Sequence, residues 1–558
     1  MPIPTGGALA RPPRRLVCAV TAVLVGVMVG CVLPAAETTV SAAATEPTRS
    51  VLVEASAGSA PPWPAVDQVT GPVAAYLDAE TRRLGLPGAA VSVIVGGDVV
   101  WTHATGTADP AGEPMTADTP VLLASTSKAI TAIAVAQLVQ DGRLDLTEPV
   151  SEYLRWFTPT TPGPPMTVGD LLHHTAGLDL GHDAGTHLAD GGPHPLQDRV
   201  RDLAEDDIAV APGEYSYSNA SYDVLGLLVA ETSGRPFGAY VAEHVLAPLG
   251  MDHAYTSAET ARADGLAEGY YRWFGRWWRA ADMPAPGGSR PSATMYGSAS
   301  DLGRLVAAHL TRPANVLPPA GWDLLTAPEA LIAPDVFYAG GLVVRPQWEL
   351  ADPSGTSPDT SALPTVYEHN GSWPNSHTFL AFVPEQDRGV ALVVNGNDQA
   401  RESALVGLDH NLLRLLAGHD AVHVPVTDEP LQRYGWAIAA VFLGLELVSL
   451  GWSVRRLRAR PAGPSGVRSR TSLLRTALPP LVLDAVVVWL VLAYIPARFF
   501  TTPAELIRLN PDLGVLIVPG LALALVWGPL RTVLLLRIHG AGQVSPPQAR
   551  EEGAVTAA

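Results

Sequence analysis

The stretch from Val121 to Leu138 constrains this chain more than any other. Val121-Leu122-Leu123-Ala124 leads into Ser125-Thr126-Ser127-Lys128, and the apolar runs Ala129-Ile130 and Ala132-Ile133-Ala134-Val135 follow. A helix that is apolar on nearly every side has no face to give to water, so it must run through the middle of a domain. Lys128 is set into it, the single lysine among 36 Lys and Arg residues. An unpaired ammonium in such surroundings is costly. Arginine stays protonated, whereas a lysine amine can be driven neutral and then accept a proton. Ser125 precedes Lys128 by three residues and shares its helical face. A base beside a hydroxyl is the geometry of an activated nucleophile.

Composition narrows the alternatives. The chain has 558 residues and a formal net charge of -18, which disfavours nucleic acid as a partner because phosphate binding needs a basic face. The two cysteines, Cys18 and Cys31, both lie in an N-terminal apolar segment. The rest of the chain therefore has no thiol nucleophile, thiolate metal site or internal disulfide. His173, His174, His182, His187 and His194, with Asp170 and Asp183, are dense enough to suggest a metal cluster. Their spacing matches neither HExxH nor a paired-ligand helix, so no metal and no cofactor is expected. The absence of Gly-x-Ser-x-Gly disfavours a nucleophile elbow.

Residues 1–45 read as an export signal, with Arg11, Arg14 and Arg15 ahead of the apolar Leu16–Leu33. Met28-Val29-Gly30-Cys31 also fits a lipoprotein cleavage box, and Leu16–Leu33 is long enough for an uncleaved anchor. A Ser/Ala/Pro-rich linker occupies 46–65, and a globular domain occupies 66–418. Within it a helix is expected over Val66–Leu84, and strands over Gly88–Val95 and Asp98–Thr105 turning at Gly96-Gly97. The Ser125 helix stops near Asp141-Gly142. Helices follow over Leu225–Thr232 and Phe237–Leu246, then strands over Gly341–Arg345, Ser376–Val383 and Gly389–Val394, and a closing helix over Arg401–Leu416. Strands at both ends with helices between predict one α+β domain whose antiparallel sheet the distant segment completes. Tyr271–Trp278 reads as an aromatic and arginine-rich hairpin turning at Gly275 and overhanging a pocket.

After a polar linker at 419–433, three apolar segments occupy 434–537: Tyr434–Trp452, Ala477–Ile495 and Leu513–Leu530. Each is about long enough to cross a hydrocarbon core as a helix. Arg455, Arg456, Arg458, Arg460, Arg468, Arg470 and Arg475 lie between the first two with no acidic residue among them. The positive-inside rule puts that loop and the 538–558 tail in the cytoplasm and the globular domain outside the cell membrane. Asp484, inside the second segment, is expected to face helix partners.

Two further motifs follow Ser125-x-x-Lys128: Tyr217-Ser218-Asn219 and His369-Asn370-Gly371. In this order, SxxK, YxN and HxG resemble the serine β-lactamase and penicillin-binding-protein superfamily, in its class C-like branch. Thr167–Leu178, Leu246–Met251 and Gly297–Leu302 look like the same branch, and the resemblance covers roughly Val66 to Leu416. It implies Ser125 as nucleophile, Lys128 and Tyr217 as the base system, and Asn219 orienting the substrate amide. His369 and Gly371 would lie on the edge strand where substrate docks, and the N–H groups of Ser125 and Ser372 would form an oxyanion hole. Burial favours a neutral amine and a neighbouring cation favours a tyrosinate, so either residue of the base system can be the resting base. The resemblance departs at His369, where many members carry a lysine that attracts a substrate carboxylate. A histidine is mostly neutral at pH 7. It implies a serine hydrolase acting on a D-amino-acid peptide, peptidoglycan fragment, β-lactam or ester. The alternatives are a cell-wall ligand sensor coupled to the membrane helices, and a degenerate structural domain.

Overall fold

The computed structural model describes residues 64–183, 195–280, 285–350, 363–423, 430–458, 470–495 and 502–541. The segment expected to be an export signal, with Cys18 and Cys31, most of the expected first linker, His187, His194, much of the Arg-rich loop and nearly all of the 538–558 tail lie outside the described residues.

Helix α1 (Val66–Leu84) runs into a hairpin of β1 (Gly88–Val95) and β2 (Asp98–Gly106). The turn uses Gly96 and Gly97 with φ of 62° and 80°, the left-handed values a two-residue hairpin needs and glycine supplies without strain. Short β3 (Val121–Leu122) pairs with β6 (Tyr296–Gly297). The expected central helix begins two residues later than Ser125: α2 spans Ser127–Gln140, and Ser125 sits in a preceding 3₁₀ turn, Ala124–Thr126. Helix α3 (Asn219–Ser233) and α4 (Ala299–Thr311) follow, separated by a hairpin of β4 (Tyr270–Trp273) and β5 (Arg276–Arg279).

The C-terminal half supplies β7 (Ala330–Ala333), β8 (Val336–Tyr338), β9 (Val343–Pro346), β10 (Thr365–Trp373), β11 (Ser376–Val383), β12 (Arg388–Val394) and β13 (Gly396–Asn397). Helix α5 (Glu402–Leu416) closes the domain. The main sheet has eight strands in the order β2-β1-β12-β11-β10-β9-β8-β7. All its pairings are antiparallel, and β12 from the end of the domain pairs along β1 from Ala89–Val394 to Val95–Arg388. The fold is therefore the α+β antiparallel arrangement expected from the chain order.

Both faces of the sheet are covered, which explains strands that read as continuous apolar runs. Ala90, Ile94, Leu380, Phe382, Ala391 and Val393 join the core built around α2, α3 and α4. Their neighbours Ala89, Val91, Val93, Phe379, Ala381, Leu392 and Val394 face the opposite way, into a second core closed by α1 and α5. That alternation is the two-residue period of a strand. Thirteen of the fourteen positions of α2 are aliphatic, small or polar without charge, and eleven are buried, Lys128 among them.

Beyond the domain, two helices among the described residues are long and apolar enough to cross a membrane by length and composition, Arg433–Arg455 and Asp512–Leu534. The second expected segment forms a shorter apolar helix, Leu478–Tyr494, so the three-span expectation is reduced to two candidate spans among the described residues. The elements are α6 (Pro430–Arg458), α7 (Arg470–Trp489), α8 (Pro511–Ala522) and α9 (Gly528–Ala541). Asp484 does meet a helix partner: Arg531 Nη2 donates to its Oδ2 at 2.5 Å, and Arg531 Nη1 donates to Ser449 Oγ at 2.8 Å.

His309 on α4 gives a stability prediction. It lies between the rings of Trp322 and Phe382, with centroids at 5.2 and 5.0 Å, and burial pushes its pKa down to about 3. A group depressed on folding stabilises the protein above its unfolded pKa of about 6.5 and loses that contribution as pH falls towards 3. Between pH 7 and pH 5 the native protein should lose about 2 kcal/mol more than His309→Leu, at about 1.4 kcal/mol per pH unit. Denaturant melts of both proteins at the two pH values measure the difference.

Candidate active site

The turn Ala124–Thr126 presents Ser125 at the mouth of the central core. Ala124 has φ of 51°, a left-handed value that is unfavourable for a residue with a side chain. Thr126 Oγ1 and Thr378 Oγ1 both donate to Leu123 O, at 2.8 and 2.6 Å, which locks the turn against β11.

Three other segments converge on it. Lys128 Nζ donates to Ser125 Oγ at 3.2 Å, to Asn219 Oδ1 at 2.6 Å and to Ser292 O at 2.9 Å. Tyr217 Oη donates to Ser125 Oγ at 2.8 Å, and the ammonium lies 4.7 Å from the Tyr217 ring centroid. The Ser125 hydroxyl oxygen is thus flanked by the phenol and the amine together. The structure brings Ser125, Lys128, Tyr217 and Asn219 into one hydrogen-bonded group.

The remaining candidates lie along β10. Strand β9 pairs with β10 only through Thr365–Glu368, so from His369 to Trp373 that edge of β10 has no strand partner among the described residues. It runs instead past the Ser125 turn. A Cβ on Gly371 would stand 2.3 Å from Leu123 O and 2.2 Å from Thr378 Oγ1, so only glycine permits the approach. Ser372 follows, its hydroxyl accepting a hydrogen bond from Asn397 Nδ2 at 2.9 Å. Both donors expected of the oxyanion hole thus belong to the two segments that Gly371 brings together.

His369 is buried, with Nδ1 at 2.6 Å from Asn370 O and Nε2 at 3.3 Å from Tyr338 Oη. A carbonyl can only accept, so Nδ1 carries the proton and Nε2 accepts from the tyrosine. Burial, and then the charge of Lys128, push its pKa down to about 3. The ring is therefore held neutral around pH 7, and both its nitrogens are engaged.

Sequence reasoning missed several supporting groups. The carbonyl of Ser292 has no side-chain signature, yet it holds Lys128. His174, once a candidate ligand, is fully buried, accepts from Ser218 N at Nδ1 (3.2 Å) and packs 4.5 Å from the Tyr217 ring. Its carbonyl also accepts from Ser216 N at 2.7 Å, so it fixes the loop that carries Tyr217. Burial first, then Lys128 and His369, hold its pKa well below the usual histidine value. Asp170 caps the short helix Val168–Leu172 through Thr167 and accepts from Thr175 Oγ1 at 2.8 Å, and His182 pairs with Asp179. Among the described residues no group of three His, Cys, Asp or Glu side chains is arranged to hold a metal.

Residues 73–410 match the family described as Beta-lactamase, well over half of the chain. The chain belongs to this family. One similar member is esterase EstB of Burkholderia gladioli, 36% identical over 206 residues, covering 34% of this chain and 52% of the relative. Another is the putative penicillin-binding protein PbpX of Bacillus subtilis, 31% identical over 177 residues, covering 31% of this chain and 42% of the relative. The chain spans about half the length of these relatives. Among solved structures, the octameric penicillin-binding protein homologue of Pyrococcus abyssi aligns with a TM-score of 0.53 at 23% identity, over 67% of this chain and 81% of that one. The D-amino acid amidase of Ochrobactrum anthropi SV3 aligns with a TM-score of 0.51 at 22% identity, over 63% and 97%. These two share the Beta-lactamase-family fold.

Gly371→Ala should separate β10 from the Ser125 turn while leaving the two cores intact. Acylation of Ser125 by an activated ester should fall by roughly 100-fold or more, the scale of losing an oxyanion donor, with an unchanged far-ultraviolet circular dichroism spectrum. His369→Gln should change the rate without moving either limb of the pH–rate profile between pH 5 and 9, because a group titrating near 3 contributes no limb there.

Proposed function

We propose that this chain is an extracytoplasmic, membrane-anchored serine hydrolase that forms an acyl-enzyme on Ser125. The observation that carries this reading is the Ser125 oxygen held at once by Tyr217 Oη and Lys128 Nζ. Membership of a family with esterase and β-lactamase members supports it. In this reading the catalytic domain occupies 66–418, joined by the 419–433 linker to membrane helices within 434–537, with 538–558 in the cytoplasm.

The chemistry follows from donor and acceptor rules. Asn219 Oδ1 and Ser292 O can only accept, so each takes one proton of the Lys128 nitrogen. A third contact of the nitrogen is to Ser125 Oγ, at 3.2 Å. In the amine form the lone pair takes the serine proton as Oγ attacks the acyl carbon. The ammonium so formed keeps the same three contacts. Tyr217, bonded to Oγ, relays a proton to the departing alkoxide or amine. The N–H groups of Ser125 and Ser372 receive the oxyanion, and the open edge of β10 accepts the substrate as an added strand. Water then resolves the acyl-enzyme by the reverse proton path.

His369 limits the substrate. A buried, neutral ring with both nitrogens occupied offers no positive charge to a free carboxylate. The favoured substrates are therefore esters or D-amino-acid amides that have no carboxylate beside the scissile bond. β-Lactams, which carry one, acylate more slowly and are released poorly.

The test uses the full chain in detergent, a nitrophenyl ester and a fluorescent penicillin, with intact mass and product release followed together. Ester turnover is expected, and Ser125→Ala should abolish both turnover and any adduct. Lys128→Arg, which keeps the charge but cannot act as a base, should lower kcat/KM by about 10²- to 10⁴-fold. Turnover surviving in Ser125→Ala would overturn the hydrolase assignment. A saturable cell-wall ligand bound without turnover would move the protein to the sensor reading.

A further inference from the structure

The aromatic hairpin is not spent on the active site. The sequence suggests that it overhangs a pocket; the contacts of its tip are with helices instead. Its strand β4 pairs in parallel with β13, and its tip reaches the C-terminal helices. The Phe274 ring packs edge-on against Trp436 with centroids 5.9 Å apart, Phe274 N donates to Asp512 Oδ2 at 3.1 Å, and Tyr271 Oη donates to Asn510 Oδ1 at 3.1 Å. Trp436 lies three residues into the first apolar helix, which starts at Arg433, and Asp512 begins the second. The tip of the hairpin therefore sits level with the ends of both apolar helices.

What the hairpin leaves exposed matches that level. Phe274 is 41% and Trp278 48% exposed, with exposed Arg276 between them. Tryptophan and other amphipathic aromatics concentrate where acyl chains meet headgroups, and arginine reaches the phosphates from the same depth. In water the same apolar surface would favour aggregation.

We infer that the β4–β5 hairpin is a membrane foot, its Phe274 and Trp278 side chains seated at the headgroup–acyl boundary of a phospholipid bilayer beside Trp436, with Arg276 on the phosphates. This rests on the reading that the C-terminal helices span the membrane. The foot is hydrogen-bonded to the substrate edge: Asn397, opposite Tyr271 in the β13–β4 pairing, donates to Ser372 Oγ and, at 2.8 Å, to Trp373 O. The strand that receives the substrate is thereby held at a fixed height over the lipid surface.

The experiment uses the full chain in phospholipid nanodiscs, with Cys18 and Cys31 changed to serine. A single nitrobenzoxadiazole label is attached at Arg276→Cys or Trp278→Cys, two separate positions so that one poorly folding variant does not decide the outcome. Leu331→Cys, on edge strand β7 and 61% exposed, is the reference, and Val518→Cys, on α8, reports spanning. Spin labels are placed either high or deep on the lipid chains. The proposal expects high-placed spin labels to quench both hairpin probes by roughly two-fold or more, as interface residues should be, and to leave Leu331→Cys unaffected. Deep labels should quench Val518→Cys. Quenching at Val518→Cys with none at either hairpin position overturns the foot and leaves the spanning reading intact. No quenching at Val518→Cys overturns the spanning reading, and the foot with it.

Discussion

A single buried amine organises this protein. Lys128 is fully enclosed in the central helix, where an unpaired charge or an unmet N–H is too expensive to keep. It is tolerated because acceptors arrive from three places, one turn away at Ser125, 91 residues on at Asn219 and 164 residues on at Ser292. Those bonds fix the start of α3 and the loop before β6 against α2. The same need that gathers the fold around Lys128 also gathers the candidate active site, so stability and site geometry share one set of contacts.

The site shows a second constraint, close backbone approach. Ala124 holds an unfavourable left-handed conformation, and Gly371 lies so near Leu123 O that no side chain fits between. Together they set the edge of β10 beside Ser125. The open edge begins where β9 stops pairing, which leaves His369 to Trp373 without a strand partner on that side among the described residues. His369 faces this edge as a neutral, doubly engaged ring, so its contribution is shape and hydrogen bonding with no positive charge.

Outside the domain, polarity is distributed to match two environments. The Asp484–Arg531 pair places its charges between helices and away from their outer faces, the arrangement that polar groups in apolar bundles require. The hairpin does the reverse and turns aromatic and basic groups outward at the helix ends. The domain is tied to the helices through this side-chain contact as well as through the chain at 419–433.

The sequence alone determined what depends on local pattern. The limits of α1, β1 and β11, the glycine turn at 96–97 and the closure of the sheet by the distant segment were legible, because burial imposes a period of two or 3.6 on neighbouring residues. The proximity of Ser125 to Lys128 followed from helical spacing, and that of Tyr217, Asn219, His369 and Gly371 was legible only through resemblance to a family. Other features belong to the tertiary structure. Ser125 sits in a 3₁₀ turn, tied to β11 through the Thr378 bond to Leu123 O. The Ser292 carbonyl and the His174 brace are long-range contacts made by groups with no periodic signature. The hairpin was readable as a hairpin, but its seat was not, because partners 162 to 239 residues away leave no trace in local spacing. Side-chain pattern records which face is buried; only the folded chain decides what it is buried against.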